Sequence, residues 1–135
     1  AAMKAVIGHK VLTVLLYHSD LQETERFYSS DLDAYPIAGR KDLRPTAWTT
    51  RLFTDQQCYI GYTAADIREF FLDHALIHSL GCDAILNVPV VYNSETLGTV
   101  NLLHEEGWYD KGDTELAMTI ANIAAPAYLQ IREGG

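Results

Sequence analysis

The chain has 135 residues, 48 % of them hydrophobic, which is enough for one packed domain and argues against disorder. Eighteen acidic against ten basic residues give a net charge of -8 at pH 7. Such a surface repels phosphate backbones and anionic lipid, so nucleic acid and membranes are poor partners. No apolar run approaches the roughly 18–20 residues that cross a bilayer. The longest, Val11 to Tyr17, is strand-length, and no signal-peptide pattern is present. Two cysteines, Cys58 and Cys82, do not make a disulfide framework and point to reduced thiols in a cytoplasmic protein.

Taken in order, residues 1–8 read as the end of a helix stopped by Gly8. The opening Ala1-Ala2-Met3-Lys4 falls inside that helix, so the natural N-terminus is expected upstream. Val11 to His18 is a strand, Ser19-Asp20 a turn, and Thr24 to Ser29 a partly exposed second strand. Residues 30–45, with Tyr35-Pro36, Gly39 and Pro45, read as one long loop, a length that inside a compact domain is usually functional. Thr46 to Thr54 follows as a short helix carrying Trp48 and Phe53, then Cys58 to Tyr62 as a short strand. Thr63 caps a helix that is expected to run unbroken to about Leu80, with Asp66 near the positive end of its dipole. Ala84 to Tyr92 and Thr96 to His104 form a hairpin about Asn93-Ser94, and Pro89 marks an edge, bulge or bend. Asp113 caps a final helix from Thr114 to about Arg132. This order predicts an α+β fold in which helices pack on a central antiparallel sheet.

The stretch Gly81-Cys82-Asp83-Ala84-Ile85-Leu86-Asn87-Val88-Pro89-Val90, followed by Leu97-Gly98-Thr99-Val100-Asn101-Leu102-Leu103, resembles the last hairpin of the GAF family. The likeness covers nearly the whole chain, read as a single GAF domain over residues 1–135 with its N-terminal helix truncated. Tyr35-Pro36-Ile37-Ala38-Gly39-Arg40-Lys41, Asp66-Ile67, Phe71-Leu72-Asp73-His74 and Asn101-Leu102-Leu103-His104 look like a bacterial subfamily of small single-domain members. The resemblance implies a ligand pocket between the sheet and the irregular segment of residues 30–80. Family members bind cyclic nucleotides, bilins, haem, nitrogen metabolites or free methionine sulfoxide, so the fold alone does not choose a ligand.

On the helix expected from Thr63, the residues Ile67, Phe70, Phe71, His74, Ile77 and His78 share one face. A histidine amid such neighbours suits an axial ligand to haem iron, with Asp73 and Asp83 as carboxylates near it, or else is a buried neutral imidazole. The likeness extends loosely to haem-binding N-nitroglycine lyase-type proteins, which makes His74 the candidate ligand and a haem-dependent lyase for a small nitro compound an alternative function. Arg40 and Lys41, with Arg44 close behind, are candidates for haem propionates or the carboxylate of a small substrate. Tyr35, Trp48, Tyr59 and Tyr62 bracket the expected pocket, with Tyr35, Trp48 and Asn87 taken as ligand contacts.

The entry Cys82-Asp83-Ala84 is similar to that of GAF-type free methionine-R-sulfoxide reductases, which would make Cys82 the nucleophile and Cys58 the resolving thiol. Those enzymes use three cysteines and this chain has two. A cyclic-nucleotide signature fails at Leu102, where lysine should follow Asn101, and no cysteine stands beside His74 or His78 to hold a bilin. A homodimer is expected through Leu116, Ile120, Ile123 and Ala127 on the last helix, unless that stripe packs on the sheet.

Overall fold

The computed structural model describes residues 7–37 and 39–134; the helix expected at the N-terminus falls almost wholly outside them. Six antiparallel strands form one sheet: β1 (Val11–His18), β2 (Glu23–Ser29), β3 (Arg40–Asp42), β4 (Tyr59–Gly61), β5 (Ala84–Tyr92) and β6 (Glu95–His104). Their order across the sheet is β3-β2-β1-β6-β5-β4. The helices are α1 (Ala47–Thr49, running into a π-helical turn Thr50–Thr54), α2 (Ala64–Phe70), α3 (His74–Ser79), α4 (Lys111–Ile123) and α5 (Ala125–Gly134). Among the described residues no helix is long and apolar enough to cross a membrane.

The pleat sorts β5 into two environments. Ala84, Leu86, Val88 and Val90 face a dry core closed by Ala117, Ala121, Ala125 and Tyr128 of α4 and α5. Small alanines let those helices sit close on the strands. On the opposite face Val11, Ile85 and Leu103 meet Ile67, Ile77, Cys82 and Tyr35. Covered on both sides, β5 is buried from Ala84 to Val90, and each large aliphatic so buried contributes roughly 1.5–3 kcal/mol. The β5–β6 hairpin turns at Asn93 and Ser94 with φ of 53° and 65°, the left-handed pair that matches strand twist in a two-residue turn. Pro89 lies beyond Asn87, the last β5 residue to pair with β4, so it sits where β5 becomes an edge.

Three expectations need correction. The long loop contains β3, which pairs Arg40 with Glu25 and Asp42 with Glu23. Its three residues are all exposed, so no hydrophobic alternation could announce it. The helix from Thr63 is not continuous: Phe71 is extended, with φ -114° and ψ 115°. Its ring packs against Trp48 at 5.2 Å and Tyr59 at 6.5 Å between centroids. The stripe from Ile67 to His78 therefore spans two helices rather than one face. The last helix starts earlier, at Lys111, with Asp110 as its cap and Asp113 closing the capping box. It divides at Ala124, because Pro126 has no N–H to offer Asn122.

Gly98 shows how tightly the sheet meets α5. A Cβ there would lie 2.0 Å from the Leu15 carbonyl oxygen and 2.7 Å from the Tyr128 ring. Tyr128 is itself pinned, its hydroxyl donating to Thr99 O at 2.8 Å. Neither backbone nor ring can retreat, so Gly98→Ala is expected to cost roughly 3 kcal/mol, about 10 °C in Tm, in a thermal melt followed by circular dichroism.

Candidate ligand-binding site

The crossing segment does not press flat on the sheet, and a cavity of about 480 Å³ remains between them, within the range of roughly 300–1,000 Å³ usual for small-ligand sites. Thr13, Leu15, Asn101, Leu103, Ile85 and Asn87 form its floor. Trp48, Phe70, Phe71, His74 and Ile77 form much of the roof.

Strand register builds a polar row into that floor. Asn101 of β6 is the partner of Thr13 on β1 and of Asn87 on β5. Trp48 Nε1–H donates to Asn87 Oδ1 at 3.0 Å. Asn87 Nδ2 donates to Asn101 Oδ1 at 2.6 Å, and Asn101 Nδ2 reaches Thr13 Oγ1 at 3.3 Å and Thr99 Oγ1 at 3.2 Å. An indole can only donate, so Asn87 must turn its oxygen to Trp48 and its amide to Asn101, which fixes Asn101 in turn. The Thr13 hydroxyl, having accepted, keeps its own proton to give.

The charged rim is mixed: Arg26, Lys41, Arg44 and Arg68 against Asp42, Glu69 and Asp73. Tyr35 spans it, its hydroxyl donating to Asp73 Oδ2 at 3.3 Å. Burial, then the charge of Asp73, raises the Tyr35 phenol well above its ordinary value, so it stays a donor. Burial likewise pushes Tyr59, packed on Phe70 and Phe71, up to about 12.

Eight of the residues chosen from sequence line the cavity: Tyr35, Lys41, Arg44, Trp48, Phe70, Phe71, His74 and Asn87. Ile67, Arg40 and His78 do not. Ile67 is buried in the core behind the wall. Arg40 is held at the sheet edge by Glu23 and Glu25 at 3.2 and 2.9 Å. His78 is exposed, its Nδ1 2.7 Å from Asp83 Oδ1, so Asp83 serves that histidine and not His74. Sequence reasoning missed Asn101, Thr13 and Arg26. The alternation Thr24, Arg26 on the inward face of β2 was the available signal for the last.

The two cysteines sit on opposite faces of the sheet, both buried and free, and neither lines the cavity. Among the described residues no three His, Cys, Asp or Glu side chains are placed to share a metal ion.

The family model for the GAF domain matches residues 9–128. The chain belongs to the GAF domain family. Its fold is that of the GAF domain of a two-component sensor histidine kinase from Bacillus halodurans, at TM-score 0.76 and 12 % identity over 99 % of this chain and 90 % of that one. It is also similar to the GAF domain/HD domain protein from Geobacter sulfurreducens, at TM-score 0.77 and 10 % identity over 97 % and 87 %. A third relative is the type II free methionine-R-sulfoxide reductase from Thermoplasma acidophilum, at TM-score 0.71 and 11 % identity over 90 % and 80 %. No curated protein matches the chain in sequence. At these identities the likeness is one of fold, and the GAF fold is a ligand-binding one.

Burial sets the chemistry of the thiols. It pushes Cys58 up to about 11, against a small lowering by Arg51, and it raises Cys82 despite Lys10. At pH 8 only about one Cys58 in a thousand is then thiolate. Ellman titration of native protein at that pH should find almost no reactive thiol, and both after denaturation. The unfolded thiol releases its proton near pH 9 and the folded one near 11, so this contribution to stability is full below pH 9 and is lost as pH rises toward 11. A urea midpoint that falls across that window checks the sign.

Proposed function

We propose that this GAF domain binds a small polar metabolite in the cavity between the sheet and α1–α3. The observation that supports this reading is the polar row Trp48–Asn87–Asn101–Thr13 beneath an otherwise largely aromatic and aliphatic roof. A few oriented polar groups in an apolar recess are what gives a small-molecule site its specificity. Free hydrogen-bonding capacity remains at the second Asn87 amide proton, the Thr13 hydroxyl and the Asn101 oxygen. In a thermal-shift screen of polar metabolites, ligands that stabilise the protein should lose at least about tenfold in affinity on Asn87→Leu, which removes a buried polar partner. Binding unchanged by that substitution would count against the floor as the recognition surface.

Haem is the second reading, and one observation favours it: His74 lines the cavity, and among the described residues neither of its ring nitrogens has a hydrogen-bond partner. Phe70 and Phe71 flank it, and Lys41 and Arg44 stand at the rim where propionates would find cations. The donor therefore fits, while the polar floor suits a porphyrin face less well than a polar ligand. A bound haem would supply iron-centred redox and ligand-binding chemistry, and a haem-dependent lyase for a small nitro compound would rest on this same imidazole. Adding one equivalent of hemin separates the readings. A sharp Soret band lost in His74→Ala and kept in His78→Ala supports haem, whereas the broad band of unbound hemin returns His74 to the roof of a metabolite site. A thiol reductase has the least support, since neither cysteine faces the cavity.

We also assign the chain to the cytoplasm, where two free thiols persist, without nucleic-acid or membrane partners in view of its net charge of -8. Of the expected stripe Leu116, Ile120, Ile123 and Ala127, Ile120 packs against the core and Ala127 falls on α5; Leu116, 42 % exposed, and Ile123, 74 % exposed, are the α4 residues we assign to a homodimer surface. In sedimentation velocity, wild-type protein should run as a dimer and Ile123→Glu as a monomer; a wild-type monomer removes the dimer from this reading.

A further inference from the structure

The cavity rim holds a cation with incomplete partners. Arg26 projects from β2 beside the cavity, with its guanidinium carbon 5.0 Å from the centre of the Tyr35 ring. Nη1 donates to the Pro36 carbonyl at 3.0 Å. Nε–H is buried and has no acceptor among the described residues. Among the described residues no carboxylate forms an ion pair with this guanidinium. Asp73 is near enough for its charge to be felt, but its Oδ2 is engaged by Tyr35.

A half-buried charge without a counter-ion is unfavourable, and the chain has acids to spare, 18 against 10 bases. Elsewhere they are used: Arg40 has Glu23 and Glu25, and Arg132 has Glu95. The cavity lining reverses the balance of the whole chain, with four cations, Arg26 among them, against three anions. Stacking on Tyr35 and the bond to Pro36 hold the guanidinium plane in place, which is the preorganisation that a planar anion needs. Burial lowers the affinity of Arg26 for its proton, with Tyr35 and Asp73 opposing, yet an arginine stays charged in any case.

We propose that Arg26 anchors a carboxylate of the ligand, so that the cavity selects small monocarboxylic acids whose uncharged end meets the Asn87–Asn101 floor. This deepens the metabolite reading and rests on it. A phosphate dianion would bring a second negative charge beside Asp73, which favours the carboxylate.

The test uses matched probes on the full chain: benzoate, phenylacetate and succinamate, their amides, and phenyl phosphate, each scored by thermal shift. At least one carboxylate should raise Tm where its amide does not. That shift should vanish in Arg26→Met and weaken about tenfold in affinity in Arg26→Lys, which keeps the charge and loses the fork. Without ligand, Arg26→Met should melt at or above the wild-type temperature, because it removes an unpaired charge; a clear drop in Tm would mark Arg26 as a structural residue and overturn the proposal. Carboxylate binding that survives Arg26→Met overturns it too, as does phenyl phosphate binding in place of the acids. Amides that bind in an Asn87-dependent way while no acid does would overturn the anchor and leave the metabolite site standing. A set in which nothing binds defeats both.

Discussion

The bond from the Trp48 indole to Asn87 ties the crossing segment to the sheet, and the character of the cavity follows from it. It holds α1 above the centre of β5 at a fixed height. Because the indole can only donate, one orientation propagates through two asparagine amides to Thr13. A polar residue so placed in the middle of a sheet is costly unless it is hydrogen-bonded. Here the partners come from four separate elements, and the row exists only when β1, β6, β5 and α1 are all in register.

The two faces of the sheet do different work for a simple reason. On the α4–α5 face, alanines and Gly98 let the elements approach closely. On the other face the bulky aromatics Trp48, Phe70 and Phe71 prop against one another, and the extended Phe71 breaks what would otherwise be a helix lying flat. The break leaves His74 and Asp73 at the cavity and sends His78 outward. Charge is divided in the same way. The acids of an acidic chain hold Arg40 and Arg132 at the surface, while Arg26 is kept clear of them.

Relatives at 10–12 % identity share this architecture. At such identities what they have in common with this chain is the fold. A sensor-kinase domain and a sulfoxide reductase on one scaffold make the point that the fold supplies a recess and the residues supply the chemistry. In this chain both thiols are buried outside the recess, and the Asn87 and Asn101 amides line its floor.

The sequence by itself determined the strands and the turn of the last hairpin, since β-branched runs, Asn93-Ser94 and Pro89 act locally, through backbone sterics. It also determined the fold class and placed eight cavity residues in the right segment. Only the tertiary structure decided the rest. β3 is made by pairing with β2 and has no pattern of its own. The break at Phe71 is made by aromatic contacts with Trp48 and Tyr59, against a sequence that reads as one helix. Arg40 and Arg26 look alike as letters; one meets two glutamates across a strand edge and the other meets none. Partners distant in sequence settle such questions, and periodicity along a single segment carries no information about them.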